Sequence, residues 1–253
     1  MSNSNLVSYT RISPNSNSPR NHAIDRISIH CVVGQCTAER IGEIFAPESQ
    51  EASSNYGIGL DGRIGMYVEE KDRSWCTSSG ANDHRAVTIE VASDTAHPYA
   101  VKAAAFSALL DLCTDICKRN GKKRLLWFGD KEKTLAYTPK ADEMVLTVHR
   151  WFENKACPGE YLYSRHGEIA EEVTKRIAAA DKPAEPTAPA GMGDNPSAWA
   201  KTATEYCKRK GIFAGDGAGN FDWQKPITRE QVAAVLYRTL ERAGLLEALP
   251  DKK

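Results

Sequence analysis

Three short stretches of the chain alternate aliphatic and polar side chains with a period of two. In Ile27-Ser28-Ile29-His30 the isoleucines share one face, and Ser28 and His30 the other. Val87-Thr88-Ile89-Glu90-Val91 sets Thr88 and Glu90 against its aliphatics, and Leu146-Thr147-Val148-His149 sets Thr147 and His149 against Leu146 and Val148. Side chains alternate faces along a strand. One sheet built from these stretches buries its aliphatic face and presents His30, Glu90 and His149 on the other.

The rest of the pattern supplies the partners of that sheet. Residues 1 to about 22 hold many Asn, Ser and Pro and read as an irregular arm. A strand is expected over Arg26–Val33, and a helix over Thr37–Phe45 with Thr37 as N-cap. Asn55–Val68 reads as a hairpin around Asp61-Gly62. Ala86–Ala92 is a strand, and Tyr99–Arg119 a long helix closed by Asn120-Gly121. Leu125–Phe128 and Met144–His149 are strands, and Glu160–Ile177 an amphipathic helix. Interleaved strands and helices give an α/β domain over residues 1–177. Residues 178–197 are rich in Pro and Ala and read as a linker. Residues 198–253 form a small second module, two helical patterns around a Gly-rich loop.

Composition narrows the class without naming it. The chain has 253 residues, a formal net charge of +0, 41% hydrophobic and 26% charged residues, which is ordinary for a globular protein. The balanced charge gives no argument for nucleic acid or an anionic membrane as partner. The longest apolar stretch, near Ala103–Leu112, falls far short of the roughly 18–20 residues of a membrane span. The first residues lack the apolar core of a signal peptide, so synthesis in the cytoplasm without such a signal is expected. Seven cysteines at irregular spacings make no disulfide framework. Cys113 and Cys117 read as buried core thiols. His22, His97 and His166 read as surface residues.

The segment HRWFENKACPG, His149–Gly159, changes the picture. It adds Lys155 and Cys157 to the two histidines and the acid. A thiolate beside a lysine, one loop from a histidine, is a soft metal ligand with its charge compensated. His30, His149 and Cys157 make three protein ligands, the number that catalytic zinc sites use while keeping a fourth position open.

These stretches, together with NYGIGLDGRI and AVTIEVAS, resemble the zinc-dependent N-acetylmuramoyl-L-alanine amidases, which share a fold with peptidoglycan-recognition proteins and include phage endolysins. The resemblance covers Asn5 to about Ile177. It implies a central, mainly mixed β-sheet flanked by helices. It implies one Zn2+ held by His30, His149 and Cys157, with Glu90 and Lys155 as catalytic residues and peptidoglycan as substrate. The scissile bond would join the lactyl group of N-acetylmuramic acid to L-alanine. Tyr56 and His84 are candidate substrate contacts. Two positions depart from family patterns: Ser54 stands where some phage members have a tyrosine, and Cys76 follows Trp75 where many have a histidine. A non-catalytic peptidoglycan-recognition protein is the alternative reading, and the complete His-His-Cys set argues against it.

The stretch Ala198–Gly244 resembles an S-layer homology module. The resemblance implies binding of a secondary cell-wall polymer, with Trp199, Asp216 and Arg229 as candidate contacts, Arg229 because its planar fork suits a carboxylate. A single module of this size has little core of its own. Docking on the enzyme, or pairing into a homodimer, is the competing role. The expected place of action is the bacterial cell wall.

Overall fold

The computed structural model describes residues 2–181, 196–213, 215, 220–223 and 227–246. The chain divides into two compact units, Met1–Lys182 and Pro183–Lys253. The first contains β1 (Val7–Thr10), β2 (Ser16–Asn17), β3 (Arg26–Cys31), α1 (Ala38–Phe45), β4 (Tyr56–Ile58), β5 (Ile64–Met66), β6 (Arg73–Ser74), α2 (Gly80–Asp83), β7 (Ala86–Val91), α3 (Ala103–Arg119), β8 (Arg124–Leu126), α4 (Lys131–Ala136), β9 (Glu143–Thr147), α5 (Glu160–Tyr163) and α6 (His166–Asp181). Short 3-10 turns lie at Glu48–Gln50 and His149–Trp151.

Seven strands form one mixed sheet in the order β1-β5-β4-β7-β3-β9-β8. The β4–β5 hairpin is antiparallel and the other pairs are parallel. The central strands β7, β3 and β9 are the three alternating stretches. Their aliphatic face packs under α3 and α6, where Ile27, Ile29, Val87, Ile89, Leu146, Leu109, Ile116, Ile169 and Val173 form one core. The expected α/β class and mixed sheet are what the structure has.

The opposite face is partly roofed by α1. Thr37 caps that helix by accepting from the Arg40 N–H. Its Ile41 and Phe45 pack on Tyr67, whose hydroxyl donates to the Ala38 carbonyl at 2.6 Å. Gly57 permits this approach: a Cβ there would lie 2.6 Å from the Tyr67 ring. Gly57 pairs with Glu90 across β4 and β7, so this roof borders the polar face of the sheet.

Some elements differ from expectation. The N-terminal arm is structured: β1 runs parallel to β5, and β2 pairs with β6. The long helix begins at Ala103 because Tyr99 adopts a left-handed φ of 62°, which a helix cannot continue. The Glu160–Ile177 pattern is split into α5 and α6 at Ser164-Arg165. α6 runs to Asp181, past the expected linker start, and residues 182–195 lie outside the described residues. Cys113 and Cys117 are buried core thiols.

The second unit has a 3-10 turn at Ala198–Ala200, α7 (Lys201–Arg209) and α8 (Arg229–Ala243). A capping box opens α8: Gln231 N–H donates to Thr228 Oγ1 at 3.2 Å, and Thr228 N–H to Gln231 Oε1 at 2.8 Å. Gly244 closes it at φ 68°. Trp223 stacks on Phe221 at 5.1 Å between ring centroids. Among the described residues no helix is long and apolar enough to cross a membrane.

Candidate metal centre and active site

β3, β7 and β9 end at the same edge of the sheet, and the site is built there. His30 and Glu90 are direct neighbours in the parallel β3–β7 register. β9 stops at Thr147, so His149 comes not from a strand but from the first residue of the following 3-10 turn. The loop after that turn carries Lys155 and brings Cys157 back over the strand ends. The structure therefore unites His30, Glu90, His149 and Cys157.

The ligand atoms of His30, His149 and Cys157 all lie within 4.8 Å of one another. Cys157 Sγ is 3.3 Å from His30 Nδ1, and the two imidazole centroids are 5.1 Å apart. Glu90 Oε1 is 3.9 Å from the same Nδ1 and 3.9 Å from Cys76 Sγ. His30, Cys76 and Glu90 form a second tight donor group that shares His30 with the first.

The electrostatics suit a cation. His30 is fully buried, and burial pushes its pKa well below the ordinary value, with His149 and His166 adding to the shift. Burial also lowers His149, followed by the charge of Lys155. Both imidazoles are therefore neutral, the form that ligates metal. Cys157 shares a hydrogen bond with Cys31, which together with burial raises its thiol pKa. A metal ion would reverse that shift by binding the thiolate. Two imidazoles and one thiol are the donors zinc takes in three-ligand sites, so the residues fit that metal. Burial, then the Cys31 thiol, raises Glu90 to about 8.

Sequence reasoning missed the residues that orient these donors. His30 Nε2 lies 3.3 Å from Ser28 Oγ, and Ser28 Oγ donates to the Thr147 carbonyl at 3.3 Å. This fixes the ring with Nδ1 toward Cys157 and Glu90. The signal was available, since Ser28 shares the His30 face two residues earlier. Ser78 Oγ is 3.2 Å from His149 Nε2, and Ser78 holds a left-handed φ of 60°. Nothing in the sequence marks it.

Other expected site residues lie elsewhere. Tyr56 is not a surface group: it is 0% exposed, and its hydroxyl donates to Glu70 Oε1 at 2.7 Å and accepts from Ser4 N–H. His84 accepts from the Asn21 N–H at 3.0 Å and faces the N-terminal arm. His166, expected at the surface, is fully buried: its ring lies 4.6 Å from Trp127, and Nδ1 donates to the Leu162 carbonyl at 2.7 Å. His22 and His97 are exposed. Lys155 is exposed and, among the described residues, its ammonium has no hydrogen-bond or ion-pair partner. In the second unit Trp199 is 88% exposed and Arg229 exposed, and Asp216 lies outside the described residues.

Fold and site together describe a hydrolase of the mixed α/β class. The N-acetylmuramoyl-L-alanine amidase family matches residues 20–160, more than half of the chain, and the chain belongs to that family. It is a peptidoglycan amidase. Residues 194–233 match the S-layer homology domain. No curated protein matches the sequence. Solved structures with a similar course of the chain include PlyL, at 14% identity over 65% of this chain and 95% of that one, TM-score 0.45. An AmpD derivative shows 17% identity over 64% and 93%, TM-score 0.46. The N-acetylmuramoyl-L-alanine amidase LysC from Clostridium intestinale URNW shows 18% over 68% and 95%, TM-score 0.42. The family is generally zinc-dependent, and the two domain types together imply peptidoglycan as substrate, a cell-wall polymer as partner and action at the cell wall.

Proposed function

We propose that the chain is an endolysin-like amidase whose zinc is held by His30, His149 and Cys157, with Glu90 and Lys155 carrying the proton and the charge. The observation behind this reading is the convergence of three ligand atoms within 4.8 Å, beside a largely buried carboxyl. Bound zinc supplies Lewis acidity to the scissile carbonyl and to water. Glu90 takes a proton from the attacking water and returns it to the departing amine of L-alanine as the C–N bond breaks. A general acid–base group works best with a pKa near the working pH, and burial raises the Glu90 carboxyl toward that range. The Lys155 ammonium, near enough to lower His149, offers positive charge where the carbonyl oxygen becomes an oxyanion. Ser28 holds the His30 ring through its far nitrogen. The S-layer homology unit tethers the enzyme to a wall polymer, with exposed Trp199 and Arg229 as contacts.

Mass spectrometry of muropeptides after digestion tests the reading. Released stem peptides should begin with a free L-alanine amine, paired with intact glycan carrying free lactyl carboxylates. Glycosidic or interpeptide cleavage in their place would reject it.

A further inference from the structure

The proposed metal centre leaves one tight group of donors without a role: His30, Cys76 and Glu90, whose ligand atoms lie within 4.8 Å of one another. Cys76 is also a position that departs from the family pattern. The polar face of the sheet sets its place. Ser74, at the end of β6, meets Thr88 of β7 hydroxyl to hydroxyl at 2.7 Å. Two residues further along each segment, the Cys76 thiol donates to Glu90 Oε1 at 3.9 Å, a long contact of the kind sulfur makes.

The loop that carries the thiol is pinned at its other end. Asp83, in α2 and 2% exposed, accepts from the Cys76 N–H at 3.0 Å, the Thr77 N–H at 3.1 Å and the Thr77 hydroxyl at 2.5 Å. Ser79 caps α2 by accepting from the Asn82 N–H at 3.3 Å. The backbone at Cys76 is therefore held against β7. A thiol beside a carboxylate keeps its proton, because two neighbouring negative charges would repel. The other carboxylate oxygen, Glu90 Oε2, is buried and has no hydrogen-bond partner among the described residues. The two oxygens of Glu90 are thus unequal, one held by a thiol and the other without a partner from the chain.

We propose that Cys76 is a positioning residue for the amidase reaction: its thiol holds Glu90 Oε1, fixes the plane of the carboxylate and leaves Oε2 as the atom that takes the proton from water. The inference rests on the reading of Glu90 as the proton carrier. Cys76 acts on the reaction only through Glu90, so its contribution falls on the chemical step and not on substrate binding.

Steady-state kinetics of the full-length enzyme on a soluble muramoyl peptide, with zinc content measured beside them, test this. Cys76→Ala should lower kcat about tenfold with KM and zinc content unchanged, the low end for a hydrogen bond to a charged group. Cys76→Val, which fills the space without a donor, should show the same loss and so separates the hydrogen bond from packing. Cys76→Ser, which keeps a donor on the same loop, should recover most of the rate. In a Glu90→Gln background Cys76→Ala should cost nothing further, since the group it positions is already disabled. Parental kcat in Cys76→Ala or Cys76→Val would overturn the inference, as would an equal further loss in the Glu90→Gln background. A Cys76→Ser rate no better than that of Cys76→Ala would overturn it too. So would loss of zinc from folded Cys76→Ala, which would make Cys76 a metal ligand. Parental kcat in Glu90→Gln alone would instead remove Glu90 as the proton carrier, the reading on which the inference rests.

Discussion

Glu90 sits between two demands. Burial raises its pKa, while His30 and Cys76 crowd the same oxygen. Glu90→Gln keeps the shape but cannot take a proton, so it should retain zinc and lose about 10²-fold or more in rate. Lys155→Ala should lose a similar factor by removing charge from the oxyanion, again with zinc retained. Rates of soluble muropeptide hydrolysis beside zinc content check both, and parental rates would remove the residue from the mechanism. His166 makes a different prediction. Burial against Trp127 lowers it from the ordinary 6.5 to about 4, so the fold favours the neutral ring. That stability is fully present above about pH 6.5 and is lost as pH falls toward 4, by roughly 3 kcal/mol. Urea unfolding across that range should show a steeper acid loss in the parent than in His166→Gln, and parallel curves would contradict it. At this scale the sequence shows His30, Glu90, His149 and Cys157, because strand alternation and one dense motif mark them. Ser78 and His166 are not legible. One depends on a left-handed turn and the other on aromatic residues brought together by folding, Trp127, Trp151 and Tyr163.

The elements divide in the same way. Strands with period-two alternation and the Thr37-capped helix are visible because their signals are local. β1 is not, because Val7–Thr10 gains its pairing from β5, more than fifty residues away. What fixes the arm is a buried polar cluster. Arg119 at the end of α3 forks onto Glu70 at 2.6 and 2.9 Å, Glu70 accepts from Tyr56, and its N–H donates to Asn3 Oδ1 at 2.9 Å. Tyr56 thus serves the fold, joining the arm, the hairpin and the long helix. Removing one partner of a buried ion pair leaves the other unpaired, so Glu70→Ala should lose about 3 kcal/mol. Denaturant melts would read this as a lower midpoint, and an unchanged midpoint would show the cluster to be idle.

The two units invite separation. Every proposed catalytic residue lies within Met1–Lys182, and the last turn of α6 anchors Ile177 in the core. A chain cut after Lys182 should fold, bind zinc and cleave soluble muropeptides at the parental rate. Its binding to intact walls should weaken, since a tethered second site raises local concentration without touching the active site. Co-sedimentation with purified walls measures the difference, and equal pull-down would favour docking or self-association as the role of the second unit. The metal centre is open to the most direct test. Purified full-length protein should carry about one zinc per chain, and Cys157→Ser should lose most of it, because a hydroxyl is a far poorer ligand than a thiolate. Elemental analysis of the two proteins decides it: zinc in the parent and little in a folded Cys157→Ser is the predicted result, and full zinc retention in the variant would contradict the His30–His149–Cys157 centre.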